Sequence, residues 1–189
     1  MISILTYKNR VIEMKWFSIL KMKFNVPSKN IEFDNEGELE EVRKAVKEAR
    51  LSEADLKRFD DSAIRAVTDI VEEDSKDYND LSNDIRDYVK KEKEKHNRKR
   101  PFEIDPSVKN VNFKTTTMET PSYPSGHALA AYITAHIMAD KYPKKKEKLF
   151  STADDVAHSR MQMGAHYPSD LRESERLSKI IFEKYLKSE

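Results

Sequence analysis

The sequence contains no cysteine, and only three glycines and one tryptophan among 189 residues. Without cysteine there is no disulfide, no thiolate nucleophile and no zinc–thiolate site. Long apolar runs are missing too; none approaches the ~18 residues of a membrane span. The best N-terminal candidate, MKWFSILKMKF at residues 14 to 24, has an apolar core only from Trp16 to Leu20, with lysines on both sides. A secretory signal needs an apolar segment of ~7–15 residues and a small-residue cleavage site, and neither is visible. The chain is therefore expected to be soluble and cytoplasmic, with no membrane partner. A charge of one sign is also lacking. The 35 Lys and Arg nearly balance 34 Asp and Glu, for a net charge of +1. No global attraction to nucleic acid follows, and none is expected as a partner.

Charge itself is abundant. Charged residues make up 37% of the chain, against ~25% in ordinary globular proteins. Apolar residues recur between them at helical spacing. Leu39, Val42, Val46 and Ala49 line one helix face. Ser52 with Asp55 resembles a capping box, and Leu51 with Leu56 a hydrophobic staple. Ile64, Val67 and Val71 mark a further helix, and Leu81, Ile85, Tyr88 and Val89 another that runs into a lysine-rich stretch. Three more helices follow, over SGHALAAYITAHIMADKY, over KKKEKLFSTADDVAHSRMQM to near Gly164, and over PSDLRESERLSKIIFEKYL with Leu177, Ile180, Ile181 and Tyr185 as the buried stripe. Residues 97 to 124 hold four prolines, four threonines and no helical period, and read as one long loop. The expected fold is all-α, a single-domain helical bundle over residues 36–189. Residues 1–35, which mix apolar and basic side chains without periodicity, are set apart as an N-terminal extension.

Three short clusters carry chemistry. In KEKHNRKRP, Lys93 is followed six residues later by Arg100 and Pro101. Seven of the eleven residues from Lys90 to Arg100 are basic, and such a run by itself reads as a solvated helix end. In YPSGHALAAY, Ser125 is a good N-cap. Free N–H groups at a helix mouth attract anions, Gly126 lets a ligand approach the backbone, and His127 sits in the first turn. Alone, this is equally an ordinary capped helix. In SRMQMGAHYPSD, Arg160 closes a helix, and His166 lies four residues before Asp170. That separation lets a carboxylate reach an imidazole and fix its tautomer. A local contact capping the last helix would look the same. Together the clusters supply three cations, an anion-binding helix mouth and a histidine–carboxylate pair. These parts suit phosphoryl transfer, which depends on positioning and charge stabilisation. No Walker-type loop and no aspartate cluster is present, so side chains must meet the charge, with no metal and no cofactor.

The order Lys-x6-Arg-Pro, Pro-Ser-Gly-His, Ser-Arg-x5-His-x3-Asp resembles the type-2 phosphatidic acid phosphatase and vanadium haloperoxidase superfamily. Within it, RKRPF and YPSGHALAAYITA are most similar to the soluble bacterial class A nonspecific acid phosphatases, although no signal peptide is visible here. The resemblance implies a phosphomonoester hydrolase. Lys93, Arg100, Arg160, Ser125 and the Gly126 N–H would bind phosphate. His166 would attack and form a phosphohistidine, Asp170 would orient it, and His127 would protonate the leaving oxygen and then activate water. Unperturbed histidines, with pKa values near ~6.5, would overlap on the acid side of neutral. The implied partner is a soluble phosphomonoester; homo-oligomerisation is left open. Two rival readings share the cradle: a vanadium-dependent haloperoxidase, and a helical module that binds a phosphorylated ligand without cleaving it. The remaining histidines read blandly. His96 is expected in solvent, His136 in packing, and His158 beside the site.

Overall fold

The computed structural model describes residues 23–110 and 116–187. The fold is all-α, and no strand occurs among the described residues. The helices are α1 (Asn35–Glu48), α2 (Glu53–Asp61), α3 (Ala63–Thr68), α4 (Asn79–His96), the single turn α5 (Pro101–Ile104), α6 (Gly126–Lys141), α7 (Lys146–Gln162) and α8 (Pro168–Ile181). Among the described residues no helix is long and apolar enough to cross a membrane. The apolar–basic stretch at 14 to 24 lies outside the described residues except for its last two.

Helix α6 is the axis of the molecule, packed by α7, α8, α3 and α4. Its sequence explains why. Ala128, Leu129, Ala131, Tyr132, Ile133, Ala135 and Met138 are all buried. Together with the buried Thr134 they cover most of the helix circumference, and a helix buried so broadly belongs in a core. The alanines let neighbouring backbones come close. The other helices present one apolar stripe each. Leu81, Ile85, Tyr88 and Val89 of α4 are buried as their spacing predicts, and so are Leu177 and Ile181 of α8. Ile180 and Tyr185 only lean on the core from its edge.

Side-chain caps set the helix boundaries that matter for the site. Ser52 Oγ accepts from Asp55 N at 3.2 Å at the start of α2, and Ser62 Oγ accepts from Arg65 N at 3.1 Å at the start of α3. Each cap satisfies an otherwise orphaned amide. Because the single residue Ser62 separates α2 from α3, Asp60 and Asp61 lie at a sharp corner. At the end of α7, Gly164 takes a left-handed φ of 66°. A Cβ there would lie 2.1 Å from the Val108 carbonyl oxygen, so only glycine fits this turn. It folds the chain back so that the Ala165 and His166 amides both donate to Arg160 O, at 2.9 and 3.2 Å.

Two sequence expectations change. The stretch from 97 to 124 is not one irregular loop. Pro101 opens the turn α5, and the Glu103 carboxylate accepts from Arg100 N at 2.6 Å. Further 3-10 turns follow at Pro106–Val108 and Thr116–Glu119. Turns of three or four residues are too short to leave a 3.6-residue pattern. Residues 23–34, within the segment set apart as an extension, have no regular structure. Yet they carry Phe24 and Val26 into the main core, and Tyr88 donates to Val26 O at 2.6 Å.

Candidate active site

The three clusters meet around one cavity of about 800 Å³. Lys93 reaches it from α4, Arg100 from the N-cap of α5, Gly126 and His127 from the mouth of α6, Arg160 from the last turn of α7, and His166 from the segment between α7 and α8. Ser125 and Asp170 are fully buried and are not among the lining residues. Ser125 Oγ accepts from Ala128 N at 3.4 Å as the cap of α6. Its carbonyl accepts from Ser174 Oγ at 2.9 Å, which ties the helix mouth to α8.

The basic run is only partly a solvated face: Lys90, Lys91, Lys95 and Lys99 are exposed. Lys93, Arg98 and Arg100 are all buried. Lys93 Nζ donates to Thr120 Oγ1 at 3.2 Å and to the Pro121 carbonyl. Arg100 donates to Thr120 O at 2.7 Å and to Ala165 O at 2.9 Å. Arg160 donates from one terminal nitrogen to Asp60 Oδ1 at 2.8 Å, while its Nε is buried with no acceptor among the described residues. A buried guanidinium N–H with no partner is costly. Burial, and then the Arg100 charge, pushes Lys93 down to about 7; burial, and then Arg160, pushes Arg100 down to about 10. Burial first, and repulsion between the cations second, thus disfavours the charged forms of Lys93 and Arg100.

The hydrogen bonds assign the imidazole tautomers. His166 Nδ1 lies 3.2 Å from Asp170 Oδ2. An ionised carboxylate can only accept, so Nδ1 carries the proton. His166 Nε2 lies 3.2 Å from an Arg100 nitrogen that can only donate, so Nε2 presents its lone pair there. His127 is the converse. Its Nε2 lies 3.1 Å from the Asp60 carbonyl oxygen, so Nε2 carries the proton and Nδ1 is the nitrogen left to exchange one. Neither histidine keeps an unperturbed pKa. Burial, followed by Arg160, lowers His127 to about 3; burial, followed by Arg100, lowers His166 well below the ordinary value.

Two members of the site escaped the sequence. Asp60 receives Arg160 on its carboxylate and His127 on its carbonyl, yet FDDS carries no spacing that reveals it. Arg98 donates to Asp170 Oδ1 at 2.7 Å, but within KHNRKR it is one basic residue among several. The other histidines settle elsewhere. His96 is not in solvent: its side chain is 7% exposed, with Nε2 2.6 Å from Ser28 Oγ and its ring edge-on to Tyr123. The irregular segment 23–34 covers it through Ser28 and Phe33. His136 stacks on Phe182. His158 is not a cavity residue, and its Nε2 is buried without a hydrogen-bond partner among the described residues. Among the described residues no group of three or more His, Asp or Glu is placed to hold a metal ion.

No curated protein matches the chain. The family model of the PAP2 superfamily matches residues 85–174, the stretch that holds all three motifs, and this match supports assignment to that superfamily and, with it, a phosphoester hydrolase activity.

Proposed function

We propose that the protein is a metal-independent phosphomonoester hydrolase of acid phosphatase type, working through a phosphohistidine on a soluble phosphorylated small molecule. The observation that carries this reading is His166, whose Nδ1 is held on Asp170 while Nε2 faces the cavity beside Arg100. An imidazole fixed in that tautomer keeps its Nε2 lone pair unprotonated, available to attack once a phosphate oxygen takes over the Arg100 N–H.

In the first step Nε2 of His166 attacks phosphorus and the bond to the ester oxygen breaks. Lys93, Arg100, Arg160 and the Gly126 N–H hold the equatorial oxygens, where charge accumulates in the transition state. The leaving oxygen takes the proton from Nδ1 of His127. In the second step Nδ1 accepts a proton from water, the resulting hydroxide oxygen bonds to phosphorus, and the N–P bond returns its electrons to Nε2. Inorganic phosphate leaves, and both histidines return to their starting protonation. His127 can serve as an acid only once a phosphate dianion sits among the cations, because the added negative charge offsets what holds the empty-site imidazole near 3. The ester's organic group would lie along the wall formed by Ile64, Ile85 and Val89.

The test is covalent trapping. Rapid quench with phosphate-labelled substrate should yield an acid-labile, base-stable adduct in the wild type and none in His166→Ala. Label retained on the His166→Ala protein would overturn the assignment. Turnover should survive excess chelator, and vanadate should inhibit strongly as a mimic of the transition state.

A further inference from the structure

Arg98 lies two residues before Arg100 and has a different environment. Its side chain is 1% exposed and is not among those lining the cavity. Its guanidinium carbon lies 4.2 Å from the Phe33 ring centroid and 3.9 Å from that of Tyr167. One terminal nitrogen donates to both Asp170 Oδ1 and Ser169 Oγ at 2.7 Å. The other donates to Glu38 Oε2 at 2.6 Å, and Nε donates to Asn35 Oδ1 at 3.0 Å. Glu38 in turn accepts from Ser169 N at 2.8 Å and from Arg172 at 2.9 Å.

The Asp170 carboxylate is therefore held from both ends. Oδ2 accepts from His166 Nδ1 and from Tyr167 N at 2.9 Å, and Oδ1 is occupied by Arg98. Without the bond to Oδ1 the carboxylate could rotate and release the imidazole. We infer that Arg98 is a positioning residue for phosphoryl transfer: by clamping Oδ1 of Asp170 it fixes the orientation and ionised form of the carboxylate that sets the His166 tautomer. The inference rests on the reading of His166 as nucleophile.

Its energetic logic follows from charge. Burial raises the Asp170 pKa, and Arg98 is the first of the groups opposing that rise, ahead of the Tyr167 amide and Lys93. The other charges nearby are Glu38, which sits behind Arg98, and Arg100, which faces the far side of His166. Removing Arg98 leaves a buried carboxylate facing mainly Lys93. It should then take up a proton at higher pH and lose its hold on Nδ1–H.

The test uses the full chain and four variants: Arg98→Met, Arg98→Lys, Asp170→Asn, and the Arg98→Met/Asp170→Asn pair. Arg98→Met should lower kcat about 10–100-fold, the equivalent of one charge-assisted hydrogen bond, with little change in KM. Its acid limb in kcat should move to higher pH. Nitrogen NMR of histidine-labelled protein should show His166 losing its single Nδ1–H tautomer. The double variant should be no slower than Asp170→Asn alone, because one residue acts through the other. If Arg98→Met lowers Tm but leaves kcat per folded molecule, pH profile and NMR signature unchanged, or if the two losses multiply, the inference fails. Should Arg98→Met not fold, Arg98→Lys carries the same test: it keeps the charge and loses the planar fork, and a wild-type rate and signature there would equally overturn the inference. Label retained on His166→Ala sinks the underlying reading instead, whatever the Arg98 variants do.

Discussion

Asp60 and Arg160 stand 100 residues apart in the chain and 2.8 Å apart in the fold. The same Asp60 accepts from His127 through its backbone carbonyl, so one corner between two short helices ties a cation proposed to bind phosphate to the proposed acid.

Asp60→Ala should therefore destabilise the empty protein. Removing one partner of a buried ion pair costs about 3–5 kcal/mol, and the Arg160 side chain is 1% exposed. Inorganic phosphate should restore part of that loss, because the anion replaces the missing carboxylate. Thermal melts with and without phosphate check this. A rise in Tm no larger in the variant than in the wild type would show that Arg160 does not face the anion.

His127→Ala should separate substrates by their leaving groups. General acid help is worth about 10²–10⁴-fold, and most of it is needed for alkoxide leaving groups. With p-nitrophenyl phosphate the variant should still show a phosphorylation burst, then accumulate phosphoenzyme because hydrolysis lacks its base. Equal losses on alkyl and aryl esters, with no accumulated adduct, would exclude this role.

The alkaline limb of kcat/KM should come from Lys93. With a pKa held down to about 7 in the free protein, Lys93 is charged below that pH and neutral above it. The cradle thus loses a cation as pH rises through 7. The same shift costs the empty fold stability below pH 7, and that cost fades as pH rises from 7 through the ordinary lysine range, where only the unfolded chain still binds the proton. Lys93→Arg should carry the limb to higher pH. An unchanged limb in Lys93→Arg would assign it to another group.

Gly126→Ala separates the demands of the fold from those of the ligand. A Cβ at this position would meet Val89 Cγ1 at 3.5 Å, an ordinary contact, so the variant should fold and melt like the wild type. It should still weaken inhibition by phosphate about tenfold or more, the effect of losing about 1.4 kcal/mol at the backbone approach. Wild-type affinity in a folded Gly126→Ala protein would remove Gly126 from the cradle.

What could be read from the chain was whatever is local and periodic. The mostly apolar run from Ala128 to Met138 marks a buried helix, and Ser52 with Asp55 marks a helix start. The spacing of Lys93, Arg100, His127, Arg160, His166 and Asp170 names a set of groups suited to holding phosphate. The turn at Pro101 was invisible, because four residues cannot display a helical period. Asp60 and Arg98 were invisible for another reason: each matters only through partners 67 to 100 and 60 to 72 residues away.

The sequence by itself determined which elements form and which chemical groups are available, since propensity, capping and hydrophobic spacing act over a few residues. Only the tertiary structure decided which groups are buried together, and burial changes their chemistry. A lysine in a charged run becomes a cation with a pKa of about 7. A second arginine becomes the clamp on Asp170 rather than a solvated end. Each histidine is left with one unprotonated nitrogen, His166 at Nε2 and His127 at Nδ1, because the acceptor that holds the proton of the other nitrogen arrives through the fold.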